Sequence, residues 1–245
     1  MGFTDWFKGQ GKTLYYPGCL TKSSLIQEME NYKEIFNKLG IDFVMLPNDE
    51  VCCGIPVLNA GYRKDAKKLA QQNFELFKKH GISKIITNCP SCYHTFKTIY
   101  PELVKGWNIE VEHVTQAILK ALKAKLRNYT FEEKEVVCYH DPCHLGRYEC
   151  VYEEPREIIE MLGGKIKEMV HNKENSLCCG GGGGVRANFR DLAVDIAKLR
   201  VSEMPKDAEK IISPCGLCFK NIQSATDKSE EFSSFVLRKL KEIGK

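Results

Sequence analysis

The chain has 245 residues, of which 43% are hydrophobic and 28% are charged, as is typical of a soluble globular protein with one large domain or two small ones. The net charge of +4 is spread along the chain without a long basic run, which argues against nucleic-acid binding. The sequence contains neither a stretch of about 18 apolar residues nor a signal-peptide pattern, so we expect a cytoplasmic protein.

The first half of the sequence alternates strand and helix patterns after an N-terminal arm at residues 1–12. β-prone segments predict strands at residues 13–16, 41–46 and 82–87, the second of them buried. Apolar periodicity predicts helices from a Ser23 or Ser24 cap to Gly40, at residues 62–80, and at about 114–126. A polar linker follows the last of these helices.

The second half repeats this alternation. Its predicted strands are residues 135–139, 165–170 and 209–213, and its predicted helices are residues 155–162 and 185–203. The second of these helices is expected to bury an inner face formed by Val185, Phe189, Leu192, Ile196 and Leu199. Alternating strands and helices predict parallel βαβ units. We therefore expect an α/β fold with two pseudo-symmetric Rossmann-like halves, at residues 13–128 and 129–245.

Ten of the twelve cysteines form two matched sets of five. The first quintet is Cys19, Cys52, Cys53, Cys89 and Cys92. The second quintet is Cys143, Cys178, Cys179, Cys215 and Cys218. In the two quintets, 32 and 34 residues lie between the lone cysteine and the adjacent pair. In both, 35 residues lie between the pair and a CxxC motif. Only Cys138 and Cys150 stand outside this pattern.

The residues around the cysteines also match between the halves. LYYPGCL (14–20) corresponds to VCYHDPCHL (137–145), and KIITNCPSCYHTFK (84–97) corresponds to KIISPCGLCFKNIQ (210–223). This similarity indicates an internal duplication. Ligands in parallel sheets lie beyond the carboxyl ends of the strands, and the cysteines follow predicted strands. Each quintet is therefore expected to converge at one edge of a sheet.

Thiols of a cytosolic protein stay reduced, so twelve cysteines favour metal ligation or redox chemistry over disulfides. A CxxC motif that opens a helix offers two thiolates with lowered pKa values. Structural zinc and a cubane iron–sulfur cluster each need only four ligands. The fifth thiolate bridges two irons of an opened cluster, serves as a spare redox thiol, or is idle. Zinc as a structural staple in one or both halves stays open as an alternative.

The twofold pattern C…CCG…CxxC resembles the cysteine-rich CCG domain family over residues 13–225. YHDPCHLGRY, YEEPREI, ENSLCCGGGGG and SPCGLCFKN are similar to the cysteine-rich part of the D-type subunit of heterodisulfide reductase in methanogens. The resemblance implies that each quintet holds a noncubane [4Fe-4S] cluster. It also implies a catalytic subunit that cleaves the mixed disulfide of coenzymes M and B, or a similar small disulfide.

Other members of the family are iron–sulfur subunits of complexes that oxidise lactate, glycolate or glycerol-3-phosphate. An electron-transfer subunit of such a flavin-dependent dehydrogenase is therefore the alternative function. D-type subunits carry a ferredoxin-like segment that this sequence lacks. We therefore expect electrons from a separate ferredoxin-like, flavin or cytochrome subunit, and contact with a membrane only through that partner.

Three residues near the cysteines are candidates for catalysis. His140 and His144 flank Cys143 and are expected to donate protons to product thiolates. Arg186 follows the glycine run 180–184 and is a candidate for binding a substrate carboxylate or phosphate, with a solvated surface arginine as the alternative. Each histidine also has a structural interpretation, in which it orients ligands by hydrogen bonds.

Overall fold

The computed structural model describes residues 11–46, 49, 51–125 and 135–243. Most of the predicted N-terminal arm, most of the predicted linker and the predicted boundary between residues 128 and 129 lie outside the described residues. The described chain contains two fully parallel β-sheets, one in each half of the sequence. The α/β fold class predicted from the sequence is therefore confirmed.

The first sheet has the strand order β1 (Lys12–Tyr16), β2 (Ile82–Thr87) and β3 (Glu110–His113). Its helices are α1 (Cys19–Ser24), α2 (Ile26–Leu39), α3 (Ile55–Asn59), α4 (Arg63–Lys79), α5 (Pro90–His94), α6 (Tyr100–Leu103) and α7 (Val114–Lys125). A π-helical turn at Thr95–Ile99 joins α5 to α6. As predicted, α2 ends at Gly40, whose φ of +69° is the left-handed conformation that glycine supplies at helix ends.

The second sheet has four strands, which lie in the order β5 (Gly164–Ile166), β4 (Glu135–Tyr139), β6 (Lys210–Ser213) and β7 (Ser229–Glu231). Its helices are α8 (Glu153–Met161), α9 (Val185–Asn188), α10 (Arg190–Val201), α11 (Gly216–Gln223) and α12 (Phe232–Ile243), with a 3-10 turn at Lys173–Asn175. Among the described residues, none of the helices combines the length and apolarity that crossing a bilayer requires.

The two halves follow the same plan, as predicted. In each sheet, the strand before the lone cysteine pairs with the strand before the CxxC motif, and a third strand continues beyond it. On its other side β4 pairs with β5, and β1 has a single bridge between Leu14 and Val44 in the corresponding place. The sheets are therefore pseudo-symmetric, and Val44 marks the remnant of a fourth strand in the first.

One hydrophobic core joins the halves. Helix α2 packs against α12, and α7 packs against α8. Tyr15 of β1 and Tyr139 of β4 are both fully buried in this core. The Tyr32 hydroxyl of α2 also donates a hydrogen bond of 2.8 Å to Glu231 at the end of β7. Because apolar burial is the dominant favourable term in folding, this shared core fixes the position of one sheet relative to the other.

Two strand predictions need correction. Residues 41–46 were expected to form a buried strand, but only Val44 makes a bridge, and most of the segment is half-buried. Its apolar side chains Ile41, Phe43 and Met45 pack against the shared core from the sheet edge, which explains the misleading pattern. The strand predicted at 165–170 ends at Ile166. Strands β3 and β7 were not predicted, because their sequences EVEH and SEE are short and charged. Helix α12 was not predicted either.

Two helix predictions also need correction. The segment predicted as one helix at 185–203 is divided into α9 and α10 at Phe189, whose φ of −138° is not helical. The predicted inner face is wrong, because Phe189, Leu192 and Leu199 are exposed and Ala193, Ala197 and Arg200 are buried instead. Neither Ser23 nor Ser24 caps α2, because its N-cap residue is Leu25 and no side chain caps it.

Candidate iron–sulfur site

The cysteines of both quintets lie beyond the carboxyl ends of strands. Cys19 opens α1 shortly after β1, and Cys143 lies in the loop that follows β4. Cys89 and Cys215 are the N-cap residues of α5 and α11, directly after β2 and β6. The adjacent pairs lie in the loops before α3 and α9. Parallel strands bring these segments to the same sheet edge in each half.

The thiols of each quintet contact one another in the same order. Cys53 Sγ lies 3.5 Å from Cys92 Sγ, and Cys179 Sγ lies 3.2 Å from Cys218 Sγ. Further thiol hydrogen bonds extend each contact into a chain of five residues. The two chains run Cys19–Cys52–Cys53–Cys92–Cys89 and Cys143–Cys178–Cys179–Cys218–Cys215. All twelve cysteines are free thiols.

Glycines bring backbone close to the sulfurs. Gly18 has φ +79°, and a Cβ at this position would lie 3.2 Å from Cys92 Sγ. The amide of Gly54 donates to Cys52 Sγ at 3.4 Å, and Gly180 and Gly181 donate to the sulfurs of the second pair at 3.3 Å each. N–H donors to sulfur are among the features that tune metal–thiolate centres.

Hydrogen bonds between thiols separate their pKa values. Donation from Cys52 and Cys92 lowers the pKa of Cys53, whereas the bonds of Cys92 and its burial raise the pKa of Cys92. In the second quintet, donation from Cys143 lowers the pKa of Cys178, and the bond to Cys178 raises the pKa of Cys179 to about 12. Adjacent buried thiolates repel one another, so ionising a whole quintet requires a bound cationic centre.

The donor set therefore fits a thiolate-bound metal centre in each half. Soft thiolates favour zinc and iron–sulfur clusters, and each must lose its proton to bind. Each quintet offers one sulfur more than a tetrahedral zinc ion or a cubane cluster uses. A ring nitrogen of the buried His140 also lies within 4.8 Å of the sulfurs of Cys179 and Cys218.

Each quintet borders the other half of the chain. Gly216, at the start of α11, packs against Leu20, which follows Cys19 in α1, and against Leu25, which directly follows α1. In the reciprocal contact, Tyr93 of α5 packs with Leu145, two residues after Cys143. The lone-cysteine segment of each half thus contacts the CxxC helix of the other half.

His144 occupies this second contact. Its Nδ1 lies 3.4 Å from Cys143 Sγ, and burial lowers its pKa. The His144 ring lies 6.0 Å from that of His94 and 4.9 Å from that of Tyr148. His94 Nδ1 in turn lies 2.6 Å from Glu149 Oε1. The structure thus brings His144 directly to a cysteine of the second quintet.

His140 differs from His144 in its environment. The side chain is buried, and burial together with the nearby positive charge of Arg200 lowers its pKa to about 3. Its Nδ1 accepts a hydrogen bond of 3.0 Å from Arg200 Nε. The imidazole is therefore neutral at pH 7.

The side chain of Arg186 is half-buried beside the second quintet. Its Nη1 donates to the side-chain oxygen of Asn221 on α11. The amide of Asn221 donates to the Cys179 carbonyl and, at 2.9 Å, to the Ala193 carbonyl. These contacts tie α9, α10 and the cysteine pair to the CxxC helix.

The loop that carries Cys143 is anchored by an ion pair between Asp141 and Arg156, which the sequence analysis did not predict. Arg156 binds Asp141 through two parallel hydrogen bonds of 2.7 and 2.9 Å, and it also binds Glu168 at 2.7 Å. Asp141 also accepts a hydrogen bond of 2.9 Å from the backbone amide of Lys173. The paired motifs HDPC and EEPRE were the available signal, but a spacing of 15 residues does not by itself predict contact.

The two remaining cysteines do not join a quintet. Cys138 is fully buried in β4, and burial raises its pKa to about 12. Cys150 is exposed and has φ +57°.

Comparisons with known proteins agree with this division of the cysteines. The family model described as a cysteine-rich (CCG) domain matches residues 13–97 and 137–223, so that one match covers each quintet. The D-type subunit of dihydromethanophenazine:CoB–CoM heterodisulfide reductase from Methanosarcina acetivorans is 34% identical over 220 residues, covering 87% of this chain and 54% of that protein.

Two bacterial relatives are oxidoreductases of other kinds. EtfAB:quinone oxidoreductase of Syntrophomonas wolfei is 31% identical over 233 residues, covering 89% of this chain and 32% of that protein. FadF of Bacillus subtilis, a probable iron–sulfur-binding oxidoreductase, is 30% identical over 202 residues, covering 82% and 28%. The chain spans about half the length of the Methanosarcina relative and about a third of the other two. With both quintets inside matched segments, the chain belongs to the cysteine-rich CCG domain family.

Proposed function

We propose that the chain is an iron–sulfur oxidoreductase subunit in which each quintet holds one noncubane [4Fe-4S] cluster. Support comes from the two continuous chains of thiol contacts and from the amides of Gly54, Gly180 and Gly181 that donate to sulfur. The fifth thiolate favours an opened cluster, because a cubane would leave it unused. Zinc in one half is the competing occupant.

We propose further that the subunit catalyses reduction of a heterodisulfide, such as that of coenzymes M and B. The observation that carries this proposal is the contact of each lone-cysteine segment with the CxxC helix of the other half. Two one-electron centres held in these neighbouring segments would act together on one disulfide. When bound, the clusters supply electrons one at a time. The disulfide takes up two electrons and two protons and leaves as two thiols, and the electrons come from a separate ferredoxin-like, flavin or cytochrome subunit.

The residues around the sulfurs provide access and protons. A cavity of about 240 Å³ lies beside the first quintet and is lined by Tyr16, Cys19, Lys22, Val51 and Cys52. The exposed Cys19 and Cys178 give each quintet a solvent-facing sulfur. We assign proton donation to His144, which contacts Cys143, and binding of an anionic substrate group to Arg186. His140 is buried and its Nδ1 accepts the hydrogen bond from Arg200, which argues against the same role for that residue.

Electron relay within a flavin-dependent dehydrogenase complex is the second candidate. The similarity to EtfAB:quinone oxidoreductase and to FadF favours it, because neither name includes a disulfide substrate. In that case the same clusters pass electrons between partners and bind no disulfide.

One experiment separates the candidates. The cluster-loaded chain is supplied with reduced viologen and with the mixed disulfide of coenzymes M and B, and thiol release is measured. Reductase function predicts thiol release that is lost in Cys53→Ala and in Cys179→Ala. Cys138→Ala, at a buried cysteine outside the quintets, serves as the matched control and retains activity. Viologen oxidation by added quinone or dye without thiol release would instead support the relay.

A further inference from the structure

The second quintet is bordered by a buried cation that has no counterpart beside the first quintet among the described residues. Arg200 of α10 is fully buried, and its Nε donates to His140 Nδ1 at 3.0 Å. Its Nη1 donates to the His171 carbonyl at 2.7 Å and pairs with Glu203. Among the described residues, Arg200 Nη2 is one of the buried nitrogens that lack a hydrogen-bond partner. Burying a guanidinium costs desolvation free energy, so favourable interactions of Arg200 must offset that cost.

The hydrogen bond from Arg200 fixes the tautomer of His140. Because Nδ1 accepts the proton of Arg200 Nε, the ring hydrogen of the neutral imidazole is on Nε2. A ring nitrogen of His140 lies within 4.8 Å of the sulfurs of Cys179 and Cys218. A neutral imidazole that is hydrogen-bonded to a buried cation thus lies beside two buried sulfurs. Glu203 offsets part of the charge of Arg200 from the far side.

The first quintet has neutral side chains at the corresponding places. Tyr16 stands where the duplication places His140, and its hydroxyl donates to the Val51 carbonyl at 2.6 Å. On α4 the buried residues Ala66, Ala70 and Asn73 follow the same spacing as Ala193, Ala197 and Arg200 on α10. An uncharged amide therefore replaces the guanidinium.

We propose that Arg200 and His140 give the centre of the second quintet the higher reduction potential, so that it is the first of the two to be reduced. The inference rests on the proposed function in that both quintets hold clusters. Positive charge and polar N–H groups near the sulfurs favour the reduced, more negative form of a cluster and so raise its potential. Arg200 acts through His140 and is a positioning residue.

The test compares reduction potentials of the full cluster-loaded chain by redox titration monitored with EPR and absorbance. His140→Phe removes the N–H donor and keeps the ring volume. We expect the higher of the two midpoint potentials to fall by the equivalent of about a tenfold change in the reduction equilibrium, or about 59 mV for one electron. The lower midpoint potential is expected to stay unchanged. Tyr16→Phe, at the matched position in the first half, should leave the higher potential unchanged.

A second, more conservative variant tests the same inference in case His140→Phe fails to fold. Arg200→Lys keeps a cation but cannot reproduce the planar fork, so a smaller downward shift of the same potential is expected. ¹⁵N NMR of the His140 ring should then show loss of the pure Nε2–H tautomer. Normal iron content with an unchanged higher potential in His140→Phe, or a shift of the lower potential alone, would overturn the inference. Absence of iron from the wild-type chain would instead overturn the proposed function on which it rests.

Discussion

Gly18 lies directly before Cys19, with φ +79°, and a Cβ here would lie 3.2 Å from Cys92 Sγ. Gly18→Ala should therefore reduce the iron bound per chain as well as lower the free energy of unfolding by about 1 kcal/mol for the left-handed backbone. Gly106→Ala is the matched control. Gly106 has φ +82°, and a Cβ there would meet no described atom within 4 Å.

Iron analysis and chemical denaturation of both variants separate the two effects. The control is expected to show the same loss of stability with unchanged iron content. Equal iron content in the two variants would show that contact with the sulfurs at Gly18 is unimportant.

At the residue scale, the sequence was sufficient to identify the cysteines because their spacing repeats. It was not sufficient for Arg200, since helical periodicity assigns apolar residues to the buried face of a helix and arginines to the face exposed to solvent. In the structure Arg200 is fully buried, where it binds His140, the His171 carbonyl and Glu203. Asp141 and Arg156 were missed for a similar reason, because their pairing depends on how β4 and α8 pack.

At the scale of elements, α10 shows how close packing overrides periodicity. Gly180 has its Cα so near the helix that a Cβ there would lie 2.8 Å from Ile196 Cβ and 2.9 Å from the Ala193 carbonyl. Only small residues fit beside Gly180, so Ala193 and Ala197 occupy that part of the buried face, whereas Leu192 and Leu199 are exposed. Strands β2 and β4 were predicted with their observed bounds because each is an apolar run before a cysteine motif. Strands β3 and β7 are short and charged, and they form only because they pair with β2 and β6. Their own sequences therefore did not predict them.

Neighbouring positions on α10 test this orientation. Ala193→Leu should lower the free energy of unfolding by about 1–3 kcal/mol, because the added atoms have no space at the buried face. Leu192→Gln should change it by less than about 0.5 kcal/mol, because Leu192 is exposed. Denaturant titration of the two variants provides the comparison. The reverse ranking would mean that the helix buries the face predicted from its sequence.

At the scale of the whole molecule, Glu231 links the halves. It lies at the end of β7, is buried, and accepts a hydrogen bond from Tyr32 of the first half. Burial raises its pKa from 4.5 to about 7. Because the folded state binds this proton more tightly than the unfolded state does, its contribution to stability is complete below about pH 4.5. The contribution falls as pH rises and is lost above about pH 7.

The free energy of unfolding of the wild type, relative to that of Glu231→Gln, should therefore decrease by on the order of 3 kcal/mol between about pH 4.5 and pH 7. The free energy of unfolding of Glu231→Gln is subtracted from that of the wild type at each pH, because other groups titrate in the same pH range. Denaturation curves measured at several pH values provide both free energies. A difference that stays constant with pH would show that Glu231 is ionised normally in the folded protein.

The pseudo-symmetric pairing of the quintets is the feature of the whole molecule on which the proposed chemistry depends. The duplication in the sequence predicted two similar halves, but it did not predict that each lone-cysteine segment contacts the CxxC helix of the other half. That arrangement arises from the shared core, where α2 meets α12 and α7 meets α8.

The most direct measurement is the content of iron and acid-labile sulfide in the anaerobically prepared chain, combined with Mössbauer spectroscopy. Two four-iron clusters predict about eight iron and eight sulfide per chain, falling to about half in Cys53→Ala or Cys179→Ala and staying unchanged in Cys138→Ala. About one zinc ion per quintet without sulfide would contradict the account.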